Sequence, residues 1–154
     1  MVQLIEAELT RSVIGAFYEV YGTLGYGFLE HVYEAAMDLE LATRGHRVGR
    51  QVAVRIMYKG ADLATQRLDM LVDDRVIVEI KSTPELARTA KRQLHNYLRG
   101  TRLEVGLLLH FGPRPEFHRV VSTNSRASGA GRGIHADTRM GNADAADEAN
   151  DHDG

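Results

Sequence analysis

Three charged residues lie in apolar surroundings, close enough in the sequence to act together. Glu79 and Lys81 fall near the end of the run RVIVEIKS (residues 75–82), and Asp69 interrupts the run LDMLV (residues 68–72). Residues two apart on a strand share a face and lie about 7 Å apart. Charges inside a sheet are costly unless they are paired, hydrogen-bonded or bound to a metal. Two carboxylates and one lysine leave a net negative charge, which predicts a site for a hard cation such as Mg²⁺, Mn²⁺ or Ca²⁺.

Polar side chains also interrupt two helix faces that are otherwise apolar. Glu30 falls on the stripe of Tyr33, Met37 and Leu41, at steps of three and four residues. This stripe should face the core, so Glu30 is a candidate to join the carboxylates of the site.

Gln93 and Tyr97 pose the same question on a later helix. They are four residues apart and share a face with Leu86 and Ala90. We expect both to be buried. A buried amide and a buried phenol need hydrogen-bonding partners, and a polar site at the sheet would supply them.

Each of these features also has a plain structural interpretation. Glu79 and Lys81 can form a salt bridge on a half-exposed strand, and Asp69 can be a surface acid near a turn. Glu30 can be solvated or can pair with the first helix, and the amide and phenol can be packing groups with polar tips. The seven histidines show no zinc-like spacing, and the absence of cysteine excludes thiol catalysis and cysteine-ligated metals.

The elements that must position these residues can be predicted from hydrophobic periodicity. Two helices are expected over residues 3–24 and 28–44. A third, capped by Ser82 or Thr83 and with Pro84 at its first position, should end near Gly100. Strands are expected over residues 52–58, 65–72, 75–82, 103–111 and 117–121. The order ααβββαββ predicts an α/β fold in which a helical crossover joins an antiparallel meander to a parallel strand.

Length and composition suit one ordinary soluble domain. The chain has 154 residues, of which 44% are hydrophobic and 26% are charged. No apolar run approaches the roughly 18 to 20 residues of a membrane span. The first residues carry acids where a signal peptide has basic residues. We therefore expect a cytoplasmic protein with no membrane association.

The composition changes near residue 124. Residues 124–154 are rich in Gly, Ala, Ser, Asn and Asp, and carry three arginines against six acids, a net charge of −3. Such a segment cannot bury enough apolar surface to offset its ordering entropy. We expect a folded domain over residues 1–123 and a disordered tail over residues 124–154.

The acidic residues, the lysine and several further stretches resemble a known group of enzymes. Asp69, followed about ten residues later by Glu79-Ile80-Lys81, resembles the signature of the PD-(D/E)XK nuclease superfamily. The stretch GFLEHVY (residues 27–33) matches the G-x-x-E-x-x-Y motif of the GxxExxY proteins within it. The blocks RLDMLV (residues 67–72) and VGLLL (residues 105–109) are similar to others of that family, and Gln93-x-x-x-Tyr97 is similar to a helix motif of RecB-type exonucleases. The resemblance covers about residues 5–121.

The resemblance implies a restriction-endonuclease-like core, a mixed central β-sheet flanked by helices, with a metal-dependent site. Asp69, Glu79 and the Ile80 carbonyl would hold Mg²⁺, with Mn²⁺ as a substitute, and Glu30 would be an additional ligand. Lys81 would orient or help to deprotonate the attacking water. Site support or substrate contacts would come from four side chains: Gln93, Tyr97, Tyr33 and Arg67.

Two classes of function follow from this reading. The first is an Mg²⁺-dependent nuclease acting on DNA, less readily on RNA, in repair, recombination or defence, with a homodimer or a protein partner compatible with its small size. The second is a non-catalytic nucleic-acid-binding or protein-interaction module that keeps the fold. The densest basic cluster is consistent with a phosphate-contacting edge or with a solvated helix face; it comprises Arg88, Lys91, Arg92, Arg99 and Arg102. A third interpretation is structural: the charges form internal salt bridges in an unrelated α/β domain.

Overall fold

The computed structural model describes residues 5–123 and the main chain of residues 134–136. The elements follow one another as α1 (Ala7–Leu24), α2 (Glu30–Thr43), β1 (Val48–Tyr58), β2 (Ala61–Val72), β3 (Val76–Lys81), α3 (Thr89–Gly100), β4 (Val105–Phe111), β5 (Pro115–Val121) and β6 (Ile134–Ala136). Up to residue 121 this is the order ααβββαββ that the sequence predicts.

The strands form one mixed sheet in the order β5-β4-β3-β2-β1-β6. Strands β3 and β4 run parallel, in the register Glu79↔Leu108 and Lys81↔His110, and all other neighbours are antiparallel. The parallel pair needs a crossover, which α3 supplies. The predicted α/β fold, a mixed sheet flanked by helices, is confirmed.

Each face of the sheet is covered by helices. Helices α1 and α2 pack on one face through Phe17, Tyr33 and Met37 against alternate residues of β3 such as Val78. On the other face α3 packs against Ile77, Leu71 and Leu108. Strand β3 is therefore buried on both faces, which explains why its sequence is a nearly continuous apolar run.

A glycine lets α3 approach the sheet closely. A Cβ atom at Gly106 would lie 2.7 Å from Cδ1 of Leu94, closer than two carbon atoms pack. The missing side chain on β4 thus accommodates Leu94 of α3, and it fixes the height of that helix above β3.

Two helices begin later than the sequence predicts. Helix α1 starts at Ala7 because Glu6 is in the left-handed region with φ 55°; residues 1–4 lie outside the described residues. Helix α3 starts at Thr89, seven residues after Ser82. The Thr83 hydroxyl donates to the carbonyl of Glu85 and caps no helix, so residues 82–88 form a loop over the end of the sheet.

The segment expected to be disordered contains one strand of the sheet. Ile134–Ala136 pairs antiparallel with β1, opposite residues 54–56. An exposed strand edge offers unpaired main-chain groups with which a further segment can pair. The rest of the predicted tail, residues 124–133 and 137–154, lies outside the described residues.

Candidate active site

Strands β2 and β3 separate where Asp69 faces Glu79. Their Cα pairing runs from Val72↔Val76 to Met70↔Val78 and then stops. Beyond that point the side chains replace the main-chain ladder. The Asp69 amide donates to Glu79 Oε1 at 3.2 Å, and the Ile80 amide donates to Asp69 Oδ2 at 2.8 Å. Each carboxylate is thereby held by the main chain of the opposite strand.

Burial places the two carboxylates in an environment that resists their charge. Glu79 is only 6% exposed. Burial first and the Asp69 charge second raise its pKa from 4.5 to about 8. Burial also raises the pKa of Asp69, opposed by the Ile80 amide and assisted by the charge of Glu34. Without a cation, burial therefore favours the protonated form of Glu79.

Lys81 lies on the same sheet face as Glu79, and its charge reaches both acids. It lowers the pKa of Asp69 and of Glu79 without outweighing their burial. Among the residues that the structure describes, no ion pair or hydrogen bond engages the half-buried Lys81 side chain. Its ammonium group is therefore positioned near the carboxylates while its donors remain available.

The donor set suits a hard cation that keeps part of its own coordination shell. Within the described residues, no group of three or more His, Asp or Glu side chains is arranged to hold a metal ion. Mg²⁺ is commonly bound through one or two carboxylates, with water and substrate phosphates completing the shell. Asp69 and Glu79 fit that mode, because a cation would replace the proton on Glu79 and relieve the repulsion between two buried acids.

The acid of α2 whose charge is felt at Asp69 is Glu34. Glu30, half-buried at the first position of α2, makes no hydrogen bond or ion pair with Asp69 or Glu79 among the described residues. Glu34 lies one turn later, is 7% exposed, and its charge raises the pKa of Asp69. The sequence contained a signal for it, because Glu34 lies on the same stripe, three residues before Met37.

Glu34 is held by a strained segment of β1. The ladder between β1 and β2 pairs Arg50 with Met70 and Val52 with Leu68, and leaves Gln51 unpaired opposite Asp69. Gln51 has φ 50°, which is unfavourable for a non-glycine residue. Its side-chain Nε2 donates to both carboxylate oxygens of Glu34, each at 3.1 Å. Strain of this kind persists where the surroundings over-determine it and is common near functional sites.

Two arginines support the same segment. Arg50 Nε donates to Glu34 Oε1 at 3.2 Å, so this buried acid is paired. Arg67 is exposed, and its Nη1 donates to the Gln51 carbonyl at 3.1 Å. The structure therefore places Arg67 next to the strained residue rather than against Asp69.

Tyr33 braces the loop that leads into α2. Its hydroxyl donates to the Gly25 carbonyl at 2.6 Å and accepts from the Phe28 amide at 3.2 Å. Its ring stacks on Phe111 with centroids 4.1 Å apart. Fully buried, Tyr33 supports the site from beneath and is not placed to touch a substrate.

Gln93 and Tyr97 lie on α3 above the carboxylates. Tyr97 is 6% exposed, and its pKa is raised by burial and then by the charges of Glu79 and Asp69. Gln93 Nε2 donates to the Tyr97 hydroxyl at 3.0 Å. Gln93 is exposed, so the expectation that it is buried is wrong: it lies at the margin of the apolar stripe, where only its tip turns toward the site.

Comparison with known families identifies the group to which this fold belongs. The sequence profile of the PD-(D/E)XK nuclease superfamily matches residues 7–120, which include α1, α2 and α3, strands β1 to β4, nearly all of β5 and the interlocked carboxylates. The chain belongs to the PD-(D/E)XK nuclease superfamily. Enzymes of this superfamily generally use divalent metal ions.

Comparisons with individual proteins add less. No curated protein matches the sequence. The crystal structure of SSO0001 superposes with a TM-score of 0.49 and 20% identity, covering 75% of this chain and 58% of the other. The PD-(D/E)XK chain described here thus spans somewhat more than half the length of that protein. Within the described residues of this chain, no helix is long and apolar enough to cross a membrane.

Proposed function

We propose that this chain is a Mg²⁺-dependent nuclease acting on DNA and, within the superfamily, a GxxExxY protein. The observation that carries the proposal is the pair Asp69 and Glu79, interlocked where two strands separate, with the uncommitted Lys81 on the face of Glu79. Superfamily membership supports phosphodiester hydrolysis as the reaction.

Asp69 and Glu79 would hold the cation, with the Ile80 carbonyl as a further oxygen donor. When bound, a divalent cation lowers the pKa of coordinated water and neutralises charge on phosphate oxygens. Glu30, half-buried at the first position of α2, remains a candidate ligand, directly or through water, and Mn²⁺ is expected to replace Mg²⁺.

Lys81 supplies positive charge beside the two carboxylates. Its ammonium would bind the attacked phosphate and stabilise the negative charge that develops there. Tyr97 and Gln93 would hold the margin of the site above Glu79, and Tyr33 would keep the loop before α2 in place. Glu34, held by Arg50 and Gln51, would fix the charge environment of Asp69.

Cleavage by matched variants tests this proposal. We expect Lys81→Ala to reduce the rate of DNA cleavage in Mg²⁺ by about 100- to 1,000-fold, the usual effect of losing one charge-stabilising donor. Its urea midpoint should stay close to that of the wild type, because no ion pair is lost. Lys59→Ala, on the turn between β1 and β2, is the control and should cleave normally.

Two other results would redirect the interpretation. Cleavage that survives both Lys81→Ala and Asp69→Ala would contradict the nuclease proposal at this site. Salt-dependent DNA binding without cleavage in Mg²⁺ or Mn²⁺ would favour a non-catalytic binding module. A large loss of stability in Lys81→Ala alone would indicate that the charges serve the fold.

A further inference from the structure

A cavity opens on the face of the sheet that α3 covers, and one of its lining residues, His110, is the strand neighbour of Lys81. Its volume is about 540 Å³, within the range of about 300 to 1,000 Å³ that is typical of small-molecule sites. The lining residues come from the loop before α3, from α3 and from strands β4 and β5: Pro84, Glu85, Leu86, Ala87, Arg88, Lys91, His110, Glu116 and His118.

The register of the sheet fixes the distance between this cavity and the candidate active site. His110 on β4 is the Cα partner of Lys81 on β3, and the two strands are parallel neighbours about 4.8 Å apart. His110 follows Leu108 by two residues and therefore shares the α3 face with it. A ligand in the cavity would lie next to whatever the Lys81 ammonium binds.

His110 presents a buried acceptor without a donor. Its side chain is 5% exposed. Nε2 lies 2.6 Å from the Thr83 carbonyl, and because a carbonyl can only accept, Nε2 carries the hydrogen. In the neutral ring Nδ1 is then an acceptor, and within the described residues it has no hydrogen-bond partner.

A second acceptor faces the same point. Oε2 of Glu116, the residue paired with His110 across β4 and β5, lies 3.6 Å from Nδ1. This is too long for a direct hydrogen bond. Two acceptors on one wall are matched by a group that carries two N–H bonds.

The remaining walls limit the class of ligand. Pro84, Leu86 and Ala87 provide apolar contacts for a flat group. Burial together with the Lys91 charge lowers the pKa of His118, which favours its neutral ring. Arg88 and Lys91 are exposed at the opening. Two carboxylates, Glu85 and Glu116, oppose these two cations, so a bare phosphate is a poor fit. A nucleobase with an amino group could pack against the apolar residues and donate to the two acceptors, while its phosphates lie beside Arg88 and Lys91 at the opening.

We propose that this cavity receives an unpaired, amino-bearing nucleobase of the substrate strand, from the nucleotide next to the phosphate bound at Lys81. The exocyclic amino group donates to His110 Nδ1 and to Glu116. Arg88 and Lys91 bind the flanking phosphates. This inference rests on the proposed function for its choice of a nucleic-acid strand.

Two homopolymers of equal length, oligo(dC) and oligo(dT), test the proposal, because their bases differ at the 4-amino and 4-oxo groups. Binding is measured by fluorescence anisotropy with Ca²⁺ in place of Mg²⁺, and strand integrity is verified on a gel. We expect the wild type to bind oligo(dC) about tenfold more tightly, as for one buried hydrogen-bonded contact.

The variants separate base recognition from phosphate binding. Glu116→Gln should reduce the preference for oligo(dC) to less than twofold without weakening the binding of oligo(dT). The introduced glutamine amide can donate to His110 Nδ1 in place of the amino group of the base. Glu104→Gln, at the other end of β4, should keep the preference. Lys91→Ala should weaken both strands equally by about three- to tenfold, and Lys59→Ala should weaken neither.

The outcomes distinguish this proposal from the nuclease proposal. Equal affinity of the wild type for the two strands, or a preference that survives Glu116→Gln, would overturn the base site, even if both strands are cleaved in a manner that depends on Lys81. A preference for oligo(dC) that Glu116→Gln removes, in a protein that cleaves neither strand, would keep the base site and overturn the nuclease.

Discussion

At the scale of single residues, the site is defined by how its charges are balanced. Glu79 and Asp69 are each held by a main-chain amide of the other strand, yet burial still raises the pKa of both. The charge of Lys81 lowers both pKa values but does not outweigh the effect of burial. The metal-free protein therefore stores an unfavourable charge arrangement that a cation would relieve.

This balance predicts how stability depends on pH. The folded-state pKa of Glu79, about 8, lies above its ordinary value of 4.5, so the fold favours the protonated form. The contribution of protonated Glu79 to the stability of the fold is fully present below about pH 4.5 and is lost as the pH rises toward 8. In EDTA we expect the wild type to lose a few kcal/mol over this range relative to Glu79→Gln, at about 1.4 kcal/mol per pKa unit.

Urea unfolding at intervals from pH 5 to pH 9 measures this difference. The side-chain amide introduced by Glu79→Gln keeps an oxygen that can accept from the Asp69 main chain but has no proton to release. The difference between the two proteins therefore reports the titration of Glu79 together with its effect on Asp69. Parallel curves for the wild type and Glu79→Gln would contradict the raised pKa.

At the scale of elements, the position of α3 depends on a missing side chain. Gly106 leaves room for Leu94, and α3 carries Tyr97 over Glu79. The helix cannot be lifted from β4 without moving the upper wall of the site. Packing of α3 and geometry of the site are therefore coupled.

The substitution Gly106→Ala tests this coupling. The added methyl would meet Leu94 at 2.7 Å, so we expect a loss of about 1–3 kcal/mol from overpacking, together with slower cleavage. Gly22→Ala in α1 is the matched control, since a Cβ there meets nothing within 4 Å. That variant should gain about 0.5–1 kcal/mol from helix propensity. Chemical denaturation compares the two; a neutral Gly106→Ala would show that α3 adjusts freely.

At the scale of the whole molecule, the cation should act as a stabilising ligand of the fold. The site joins β2 to β3 at the centre of the sheet, so binding there is linked to global unfolding. A ligand at about 100 times its Kd stabilises the folded state by about 2.7 kcal/mol.

Thermal unfolding with and without Mn²⁺ measures this linkage. We expect the Tm of the wild type to rise with Mn²⁺ concentration and that of Asp69→Ala to stay constant, while Ca²⁺ or Mg²⁺ give smaller or equal shifts. Calorimetric titration near pH 7 should also release protons, because Glu79 must ionise to bind. Equal Tm shifts in both proteins would place the bound ion elsewhere.

The sequence by itself determined the fold class and the acidic pattern of this protein. The periodicity of β3, apolar on both faces, already required a buried central strand, and the α3 crossover required a parallel neighbour. Asp69, Glu79 and Lys81 can be recognised from the sequence alone, because each is a charged residue within or at the end of an apolar run.

Only the tertiary structure decided which other residues approach that pattern. The position of Glu34 depends on the left-handed backbone of Gln51. The cavity under α3 depends on the pairing of His110 with Glu116 and on the late start of α3. These contacts join residues that are distant in the sequence, through backbone conformations that no periodicity encodes. Hydrophobic patterning specifies which face of an element is buried; the register and the height at which elements pack specify what meets there.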